Sequence, residues 1–326
     1  MGEEALLAWL GERLGPDHRL GDDAALIPTH ESDAWAISVD TQIEGVHFFP
    51  DLDPAIVARR LLAVNLSDLA AMGALPAWCV LALAAPAGFD HRRFFDPFIE
   101  VANAYGLELV GGDLARSPVL TAVLTIAGRR SGGRFVERSG ARVGHELWLG
   151  GTVGEAALGL TLQQRTLDPN VLPEVMHPTA RRAIERHQVP RPQMALGGWL
   201  ADCSEGGALD VSDGVAKDLA RLCAASGVGA ELDEVALPIP ADVVGLARYL
   251  DLDPIELALT GGEDYVLLFP PPPTAGRSGG GPGGLSPEAL GATRIGRIVE
   301  GEGCRVVGRD GGRRPLPAAG FDHLAD

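Results

Sequence analysis

Acidic residues recur in short segments where the chain leaves a predicted strand or enters a predicted helix. The segments read GDDAA, SVDT, NLSD, GGD, LDVSDG and TGGED. Magnesium prefers hard oxygen ligands and keeps several waters, so single carboxylates from several loops, together with substrate phosphates, suit it. The pattern therefore predicts a magnesium site. Its candidate ligands are Asp23, Asp40, Asp68, Asp113 and Asp210.

Asp68 stands out because it is the only charged residue between Leu61 and Ala87. A buried carboxylate is costly unless it is paired or bound to a metal. Backbone amides or a turn would also satisfy a single buried aspartate, and for Asp68 alone that alternative stays open. The six acidic segments taken together favour a metal.

The helix predicted after Ser212 and Asp213 could direct its first amides at a phosphate, although plain N-capping explains the same residues. The chain has a single lysine, Lys217, and no GxxxxGK[ST] segment, which excludes a P-loop kinase. The glycine-rich loop of protein kinases and the GxSxG elbow are absent as well. Direct transfer between bound substrates is therefore simpler than a covalent intermediate.

Composition sets limits on partners and location. The net charge of −17 argues against nucleic acid or an anionic membrane as a partner. An acidic protein that handles phosphates needs divalent metals for positive charge. The four cysteines form no CxxC pair, and the chain has no basic leader and no run of about 20 apolar residues. These features predict a cytoplasmic protein without a disulfide framework or a zinc site.

The pattern of apolar residues predicts an α/β fold with two domains and a boundary near residue 140. In the first domain, residues 1–140, strands are predicted at Ala34–Val39, Trp78–Ala84, Leu107–Val110 and Leu120–Ile126, and helices at Pro54–Met72 and Asp90–Tyr105. In the second domain, residues 141–326, helices are predicted at 154–164, 178–186, 192–203 and 214–225, and strands at 146–149, 208–211, 229–232, 265–269 and 294–299. The Pro- and Gly-rich segment 270–284 is expected to be a flexible surface loop without chemistry.

Several longer motifs carry a family resemblance. They read GDDAAL, SVDTQIEGVHF, ARRLLAVNLSDLAAMGALPAW, VGGDLARS, LDVSDGVAKDLARLCAASGVGAEL, ALTGGEDYVLLF and GFDHL. In this order they resemble thiamine-monophosphate kinases over nearly the whole chain. GDDAA and the SDG helix also occur across a superfamily with aminoimidazole ribonucleotide synthetase, selenophosphate synthetase and a hydrogenase maturation protein. EGVHF, NLSDLAAMGA, GGEDYVLLF and GFDHL are more specific to the thiamine enzymes.

The resemblance implies an aminoimidazole ribonucleotide synthetase-like fold, in which the N-terminal α/β domain dimerises and the C-terminal domain closes over ATP sites near the interface. It implies several magnesium ions with ATP as co-substrate, and a homodimer. The metal positions carried over are Asp23, Ser38, Val39 through its backbone, Asp40, Asp68, Asp113, Asp210 and Asp213. The ATP positions carried over are Tyr105, Gly112, Asp113, Arg138 and Ser212.

The same resemblance assigns His47, Glu263 and Phe321 to the thiamine phosphate. An aromatic ring at Phe321 would stack on a heteroaromatic ring, and Glu263 would face the cationic thiazolium. Taken alone, each of the three has a structural explanation in the core, at a turn or at the C-terminus. The chain departs from the family at Val39, where threonine is usual, and at Leu114, where a polar residue is common, which puts one metal position in doubt.

The expected reaction is direct in-line transfer of the γ-phosphate of ATP to thiamine monophosphate, giving thiamine diphosphate. The acceptor phosphate is already ionised, so no general base and no catalytic side chain beyond the metal ligands is expected. One alternative is another ATP-dependent enzyme of the superfamily, although no Cys precedes Cys79 as selenophosphate synthesis usually requires. The second alternative is a non-catalytic maturation protein, but such proteins end in a Cys-bearing tail, whereas this chain ends FDHLAD.

Overall fold

The computed structural model describes residues 3–15, 21–29, 34–203, 205–275 and 281–317, and these form two β-sheets with packed helices. The first sheet contains β1 (Ala25–Pro28), β2 (Ala34–Ile43), β3 (Ala74–Ala85), β4 (Glu108–Arg116) and β5 (Thr121–Arg130). Its spatial order is β1-β2-β5-β3-β4, in which β3 and β4 are parallel and the other neighbours antiparallel.

The second sheet contains β6 (Glu146–Gly150), β7 (Leu209–Asp210), β8 (Gly229–Asp233), β9 (Leu267–Phe269), β10 (Ala292–Val299), β11 (Cys304–Val307) and β12 (Arg313–Pro315). Its order is β12-β11-β8-β10-β6-β9-β7. The pair β8 and β11 is parallel and the others are antiparallel. Both sheets are therefore mixed, as expected of an α/β chain with hairpin connections.

Nine α-helices lie in the described part of the chain, three of them before β6 and six after it. They are α1 (Glu3–Leu14), α2 (Pro54–Ala71), α3 (His91–Ala104), α4 (Glu155–Gln164), α5 (His177–Gln188), α6 (Met194–Ala201), α7 (Val215–Ser226), α8 (Ala241–Tyr249) and α9 (Pro254–Thr260). Short 3₁₀ turns lie at Pro169–Val171, Glu174–Met176, Glu234–Ala236, Pro282–Gly284 and Pro287–Leu290. None of the described helices has both the length and the apolar character needed to cross a membrane.

Helix α2 is the central element of the molecule. Its start is set by Asp53, whose side chain accepts a hydrogen bond from the amide of Ala55 at 3.0 Å, and by Pro54 in the first turn. The helix contacts β2, β3, β5 and α3 on one side, and α5, α6 and β7 of the second half on the other. This double contact explains why α2 has buried residues around most of its circumference rather than along one stripe.

The chain passes from the first sheet to the second between Arg130 and Glu146. The predicted boundary near residue 140 falls in this interval, but the division into two domains stays a prediction. Apolar residues of the two halves form one continuous cluster at the junction, where Ala70 and Ala71 of α2 pack with Trp199 of α6. The two halves are therefore held together by core packing.

The described part of segment 270–284 differs from the flexible surface loop predicted for it. Pro270, Pro271 and Pro272 are buried, and Ala275 joins the apolar cluster that contains Trp199 and Phe269. The start of the segment therefore continues the packing of β9. Residues 276–280 lie outside the described residues. The four cysteines are free thiols, three of them buried, so no disulfide links the described elements.

Candidate active site

A cavity of about 460 Å³ opens where the two halves of the chain meet. From the first half, its lining includes Asp40, Gln42, His47, Phe48, Phe49 and Asp68. From the second half, its lining includes Leu160, His187, Asp210, Ser212, Asp213, Arg221, Glu263 and Tyr265. One wall of the cavity is therefore strongly acidic, and another is aromatic and apolar.

The acidic wall brings together carboxylates that are far apart in the sequence. The pKa of Asp68 is raised well above its usual value, first by burial and then by the charges of Asp40, Asp210 and Asp23, while a hydrogen bond from Ser38 at 2.5 Å opposes the shift. Burial and the neighbouring Asp23 likewise raise the pKa of Asp210 well above its usual value. Four of the predicted metal ligands thus lie within electrostatic reach of one another, from β2, α2, β7 and the segment before β1.

Arg138 partly neutralises this cluster from one side. Its guanidinium contacts Asp23 at 2.8 Å, and its backbone amide donates to Asp22 at 2.6 Å. Burial still raises the pKa of Asp23 despite the arginine. The ion pair therefore offsets only part of the cost of collecting four carboxylates, and a further cation would lower the energy of the cluster.

The donor set fits magnesium in kind. One carboxylate oxygen of Asp23 and one of Asp210 are buried without a hydrogen-bond donor, and such orphaned oxygens are available to a hard cation. The side chains are not closed into a ligand shell, because no three acidic, histidine or cysteine groups in the described residues converge as a metal cluster. A magnesium ion bound by one or two carboxylates, with waters and substrate phosphates, does not need such a shell.

The remaining predicted metal positions differ in their surroundings. Asp213 lines the cavity, and its carboxylate is paired with Lys217 at 2.8 Å and Arg221 at 2.7 Å. Val39 is an outward-facing residue of β2, 58% exposed. Asp113 lies opposite Ala82 on the exposed edge strand β4 and is not part of the cavity lining.

The residues predicted to contact ATP fall into two groups. Ser212 lines the cavity directly before α7, and Arg138 stands behind the acidic wall on Asp23. Tyr105, directly after α3, and Gly112, on the edge strand β4, are not part of the cavity lining. Gly112 also has a structural role, because a Cβ atom there would lie 1.9 Å from the carbonyl oxygen of Leu81 on β3.

Two of the three residues predicted to contact the thiamine phosphate line the cavity. Nδ1 of His47 accepts a hydrogen bond from the amide of Ile43 at 3.1 Å, so the neutral ring carries its proton on Nε2. Glu263 reaches the cavity from the loop between α9 and β9. Phe321 lies outside the described residues.

The loop that carries Glu263 has an unusual backbone. Gly262, Glu263 and Tyr265 all have positive φ angles, of 66°, 66° and 49°. Side-chain-bearing residues rarely adopt this region, and they persist in it only where the surroundings hold them. Here the amides of Glu263 and Tyr265 donate at 2.8 Å to the carbonyls of Ser212 and Val211. The loop is thereby fixed to the segment just before α7.

Asp264, in the same TGGED segment, has a structural role. It is fully buried, burial raises its pKa to about 7, and it accepts a hydrogen bond from the amide of Gly154 at 3.0 Å, where α4 begins. Its neighbours Gly262 and Glu263 face the other way. The acidic segment thus combines one residue at the cavity with one that anchors the loop.

The structure also adds residues that sequence reasoning did not select. Arg60 of α2 is fully buried and contacts Glu263, while Gln42 and His187 line the cavity beside it. The available signal was the position of Arg60 within α2, directly before the uncharged residues 61–67 that precede Asp68. Nothing in the sequence around His187 marks it, because its position depends on how α5 packs against α4.

Comparisons with known proteins agree with this arrangement. Residues 21–129 match the family model described as AIR synthase related protein, N-terminal domain. The thiamine-monophosphate kinase of Salmonella typhimurium is 39% identical over 317 residues, which cover 96% of this chain and 94% of that protein. That of Escherichia coli K12 is 38% identical with the same coverage, and that of Aquifex aeolicus is 31% identical over 89% of each chain.

Solved structures lead to the same family. The structure named AaThiL complexed with AMPPCP and TMP matches with a TM-score of 0.86 and 30% identity over 99% of this chain and 97% of that one. Escherichia coli HypE, a hydrogenase maturation protein, has a TM-score of 0.69 but only 21% identity over 97% and 98% of the two chains, which shows a shared fold alone. With relatives of nearly 40% identity along almost its whole length, the chain belongs to the thiamine-monophosphate kinase family.

Proposed function

We propose that this protein transfers the γ-phosphate of ATP to thiamine monophosphate, forming thiamine diphosphate and ADP, the last step in making that cofactor. The observation that carries the proposal is the convergence of Asp40, Asp68 and Asp210 on a cavity between the two halves of the chain, with Asp23 within electrostatic reach of Asp68 and Asp210. A collection of carboxylates would repel phosphates, so it is useful only with bound cations. The family relationship supplies the identity of the two substrates.

We assign the magnesium ions to Asp23, Asp40, Asp68 and Asp210, with Ser38, the backbone of Val39, Asp113 and Asp213 as further ligands. When bound, magnesium neutralises phosphate charge so that a nucleophilic oxygen can approach phosphorus. The uncompensated oxygens of Asp23 and Asp210 support this assignment. Ser38 orients Asp68 through its hydroxyl, which leaves the other carboxylate oxygen of Asp68 for the cation side.

ATP is placed beside α7, with Ser212 before the helix and with Tyr105, Gly112, Asp113 and Arg138 around the rest of the nucleotide. The first amides of α7 are suited to an anion because the helix dipole adds positive potential there. Lys217 and Arg221 lie within the same helix and contribute positive charge near Asp213. Their charges are balanced by Asp213 and Asp218, so this part of the site is less negative than the acidic wall.

Thiamine monophosphate is placed in the apolar part of the cavity, with His47 and Glu263 as contacts. Phe48, Phe49 and Leu160 provide a surface for the heteroaromatic rings. Glu263 supplies a negative charge for the thiazolium, and Phe321 remains the proposed stacking partner. The acceptor phosphate then lies toward Asp68, where transfer takes place.

The reaction needs no general base from the protein, because the acceptor oxygen is already ionised at neutral pH. His47 and Glu263 hold the acceptor, and Ser212 and Arg138 hold the donor. Positioning of this kind supplies much of the catalysis in a bimolecular transfer.

We further propose that two chains associate through the first sheet. Its edge strand β4 is exposed along nearly its whole length, and its apolar residues Val110 and Leu114 are 54% and 63% exposed. Val39, on β2, is exposed as well. Exposed apolar residues on a sheet edge are a liability unless another chain covers them. A homodimer would cover this surface next to Gly112 and Asp113.

The test is incubation of the purified protein with ATP, magnesium and thiamine monophosphate, followed by chromatography of the products. We expect thiamine diphosphate and ADP in equal amounts, and none from Asp68→Asn. Asp168→Asn is the matched control, because Asp168 only caps an exposed 3₁₀ turn, a role that Asn fulfils. Parallel incubations replace thiamine monophosphate with free thiamine or with the substrates of aminoimidazole ribonucleotide synthetase. Product from one of those, and none from thiamine monophosphate, would refute the assignment.

A further inference from the structure

The side chain of Arg60 lies beneath the cavity floor and is completely buried. It uses all of its nitrogens. Nε donates to the side-chain oxygen of Gln42 at 2.7 Å, Nη1 to the backbone carbonyl of His187, and Nη2 to the carboxylate of Glu263. A buried guanidinium is tolerated when its donors are satisfied in this way. Arg60 itself is not among the residues that line the cavity.

The three partners of Arg60 belong to three separate elements. Gln42 is on β2, His187 is near the end of α5, and Glu263 is in the loop after α9. All three line the cavity, on the side that also contains His47 and Phe49. One side chain therefore connects the first half of the chain to two segments of the second half, directly under the acceptor side of the proposed site.

The loop of Glu263 depends on outside contacts for its conformation. Glu263 and Tyr265 have positive φ angles, and their amides bind the carbonyls of Ser212 and Val211. These bonds hold two amides of the loop, while the direction of the Glu263 side chain, and the remaining restraint on this strained backbone, depend on further contacts. The contact to Arg60 supplies that direction, because a rigid guanidinium presents its donors in a fixed plane.

We propose that Arg60 is a positioning residue that fixes the carboxylate of Glu263, and with it the acceptor side of the cavity, so that it controls the affinity for the thiamine substrate and not for ATP. This inference rests on the proposed function. Arg60 touches neither substrate, and it acts through Glu263 and the carbonyl of His187. A purely structural ion pair would contribute to folding without distinguishing the two substrates.

The experiment compares Arg60→Met and Arg60→Lys with a control, Arg134→Met. Arg134 also donates to backbone carbonyls of another segment, those of Cys203 and Gly206, but lies outside the cavity lining. We expect Arg60→Met to raise KM for thiamine monophosphate about tenfold, with KM for ATP within about twofold of the parent. Arg60→Lys keeps one charged contact and should recover part of the loss. Arg134→Met should lower Tm and leave both KM values unchanged.

A double-mutant cycle with Glu263→Gln separates positioning from general damage. If Arg60 acts through Glu263, the combined variant should have nearly the same kcat/KM for thiamine monophosphate as Glu263→Gln alone. Additive losses would overturn the inference. So would equal increases in both KM values, or a lower Tm with both KM values unchanged.

A second measurement does not depend on turnover. Hydrogen exchange of the amides of residues 261–265 should accelerate in Arg60→Lys relative to the parent, while exchange in α9 stays unchanged. An unchanged rate in the loop would overturn the inference even if Arg60→Met fails to fold. Failure of the parent protein to make thiamine diphosphate would instead refute the proposed function. The exchange experiment would then still decide whether Arg60 holds the loop.

Discussion

The carboxylates around Asp68 show how a functional residue can oppose stability. Asp210 is buried and Asp68 half-buried, and both lie close to Asp23 and Asp40, so each raises the free energy of the others when ionised. A packed core without function would replace them with apolar residues or pair each with a cation. Asp23 is paired in this way with Arg138, and its pKa is still raised by burial. The cluster is best understood as a site that is completed by cations.

Removing one of these charges should therefore separate activity from stability. We expect Asp68→Asn to reduce turnover by at least about a hundredfold, because a cation ligand is lost. In metal-free buffer, the Tm of the variant should be at least as high as that of the parent, and up to roughly 2 °C higher, because like-charge repulsion is relieved. A product assay measures the loss of turnover, and scanning fluorimetry with and without magnesium measures the change in Tm. A large loss of Tm in metal-free buffer would contradict this account.

His187 makes the free energy of unfolding depend on pH. Burial, and next the charge of Arg60, lower its pKa to about 4, against 6.5 for an unperturbed histidine. Below pH 6.5 the imidazole of His187 is protonated in the unfolded chain, whereas in the folded chain it stays neutral until about pH 4. The free energy of unfolding therefore decreases as pH falls through this window. By linkage the loss amounts to about 2 kcal/mol between pH 7 and pH 5.

The measurement is urea unfolding of the parent and His187→Gln at pH 7 and pH 5. We expect the parent to lose about 2 kcal/mol more than the variant over this interval. His91→Gln serves as the control, since His91 lies on an exposed turn of α3. Equal pH dependence in the parent and His187→Gln would mean that the buried ring is not held neutral.

At the scale of elements, the contact between α2 and α6 fixes the junction of the two halves. The two helices approach so closely that a Cβ atom at Gly197 would lie 2.1 Å from the carbonyl oxygen of Ala70. Backbone atoms cannot move aside without shifting a whole helix. Gly198, the next residue of α6, has no atom within 4 Å of the same position. Adjacent glycines of one helix therefore differ in the space available for a side chain, which is absent at Gly197 and open at Gly198.

We expect Gly197→Ala to destabilise the protein by about 2 kcal/mol or more, because the added methyl group overpacks the helix crossing. Gly198→Ala should be neutral or stabilising by up to about 1 kcal/mol, because alanine favours the helix. Chemical unfolding of both variants tests the difference. Similar values for the two would show that the crossing can relax.

The elements that sequence patterns predicted are those with long apolar runs. The predictions for α2, α3, β3 and β5 were confirmed because burial on one or both faces leaves a regular pattern. Helices α8 and α9 were not predicted, because they are short and follow Pro- and Asp-rich segments. Strands β11 and β12 contain several arginines and lie at the edge of the second sheet. Their pairing depends on neighbours that local sequence does not specify.

The site was predictable to the extent that its residues carry charge in apolar surroundings. That signal selected Asp68 and Asp210 as candidate metal ligands, and in the structure both line one cavity. The contacts of Arg60 could not be predicted from the sequence, because its guanidinium joins β2, α5 and a loop that only tertiary packing brings together. For the same reason the positive φ angle of Glu263 has no sequence signature, since such strain is imposed by the surrounding fold.

At the scale of the whole molecule, charge and exposed apolar surface point to different kinds of partner. The net charge of −17 gives an electrostatic repulsion that opposes binding of nucleic acids and anionic membranes. The exposed apolar residues Val110 and Leu114 of β4 suit an apolar partner surface, and a second copy of the same sheet is the partner proposed for them. Association there would place Gly112 and Asp113 at the interface, so the proposed nucleotide contacts would depend on the dimer.

A single charge on β4 should reveal this dependence. We expect the parent to have about twice the 34.1 kDa mass of one chain in light scattering, and Leu114→Glu to approach one chain, because a carboxylate at that position would be buried without a partner. Turnover should fall with the loss of the dimer, mainly through a higher KM for ATP. Val175→Glu is the control, because Val175 is 82% exposed on a 3₁₀ turn away from the sheet. A dimeric Leu114→Glu variant would show that the chains do not associate through β4.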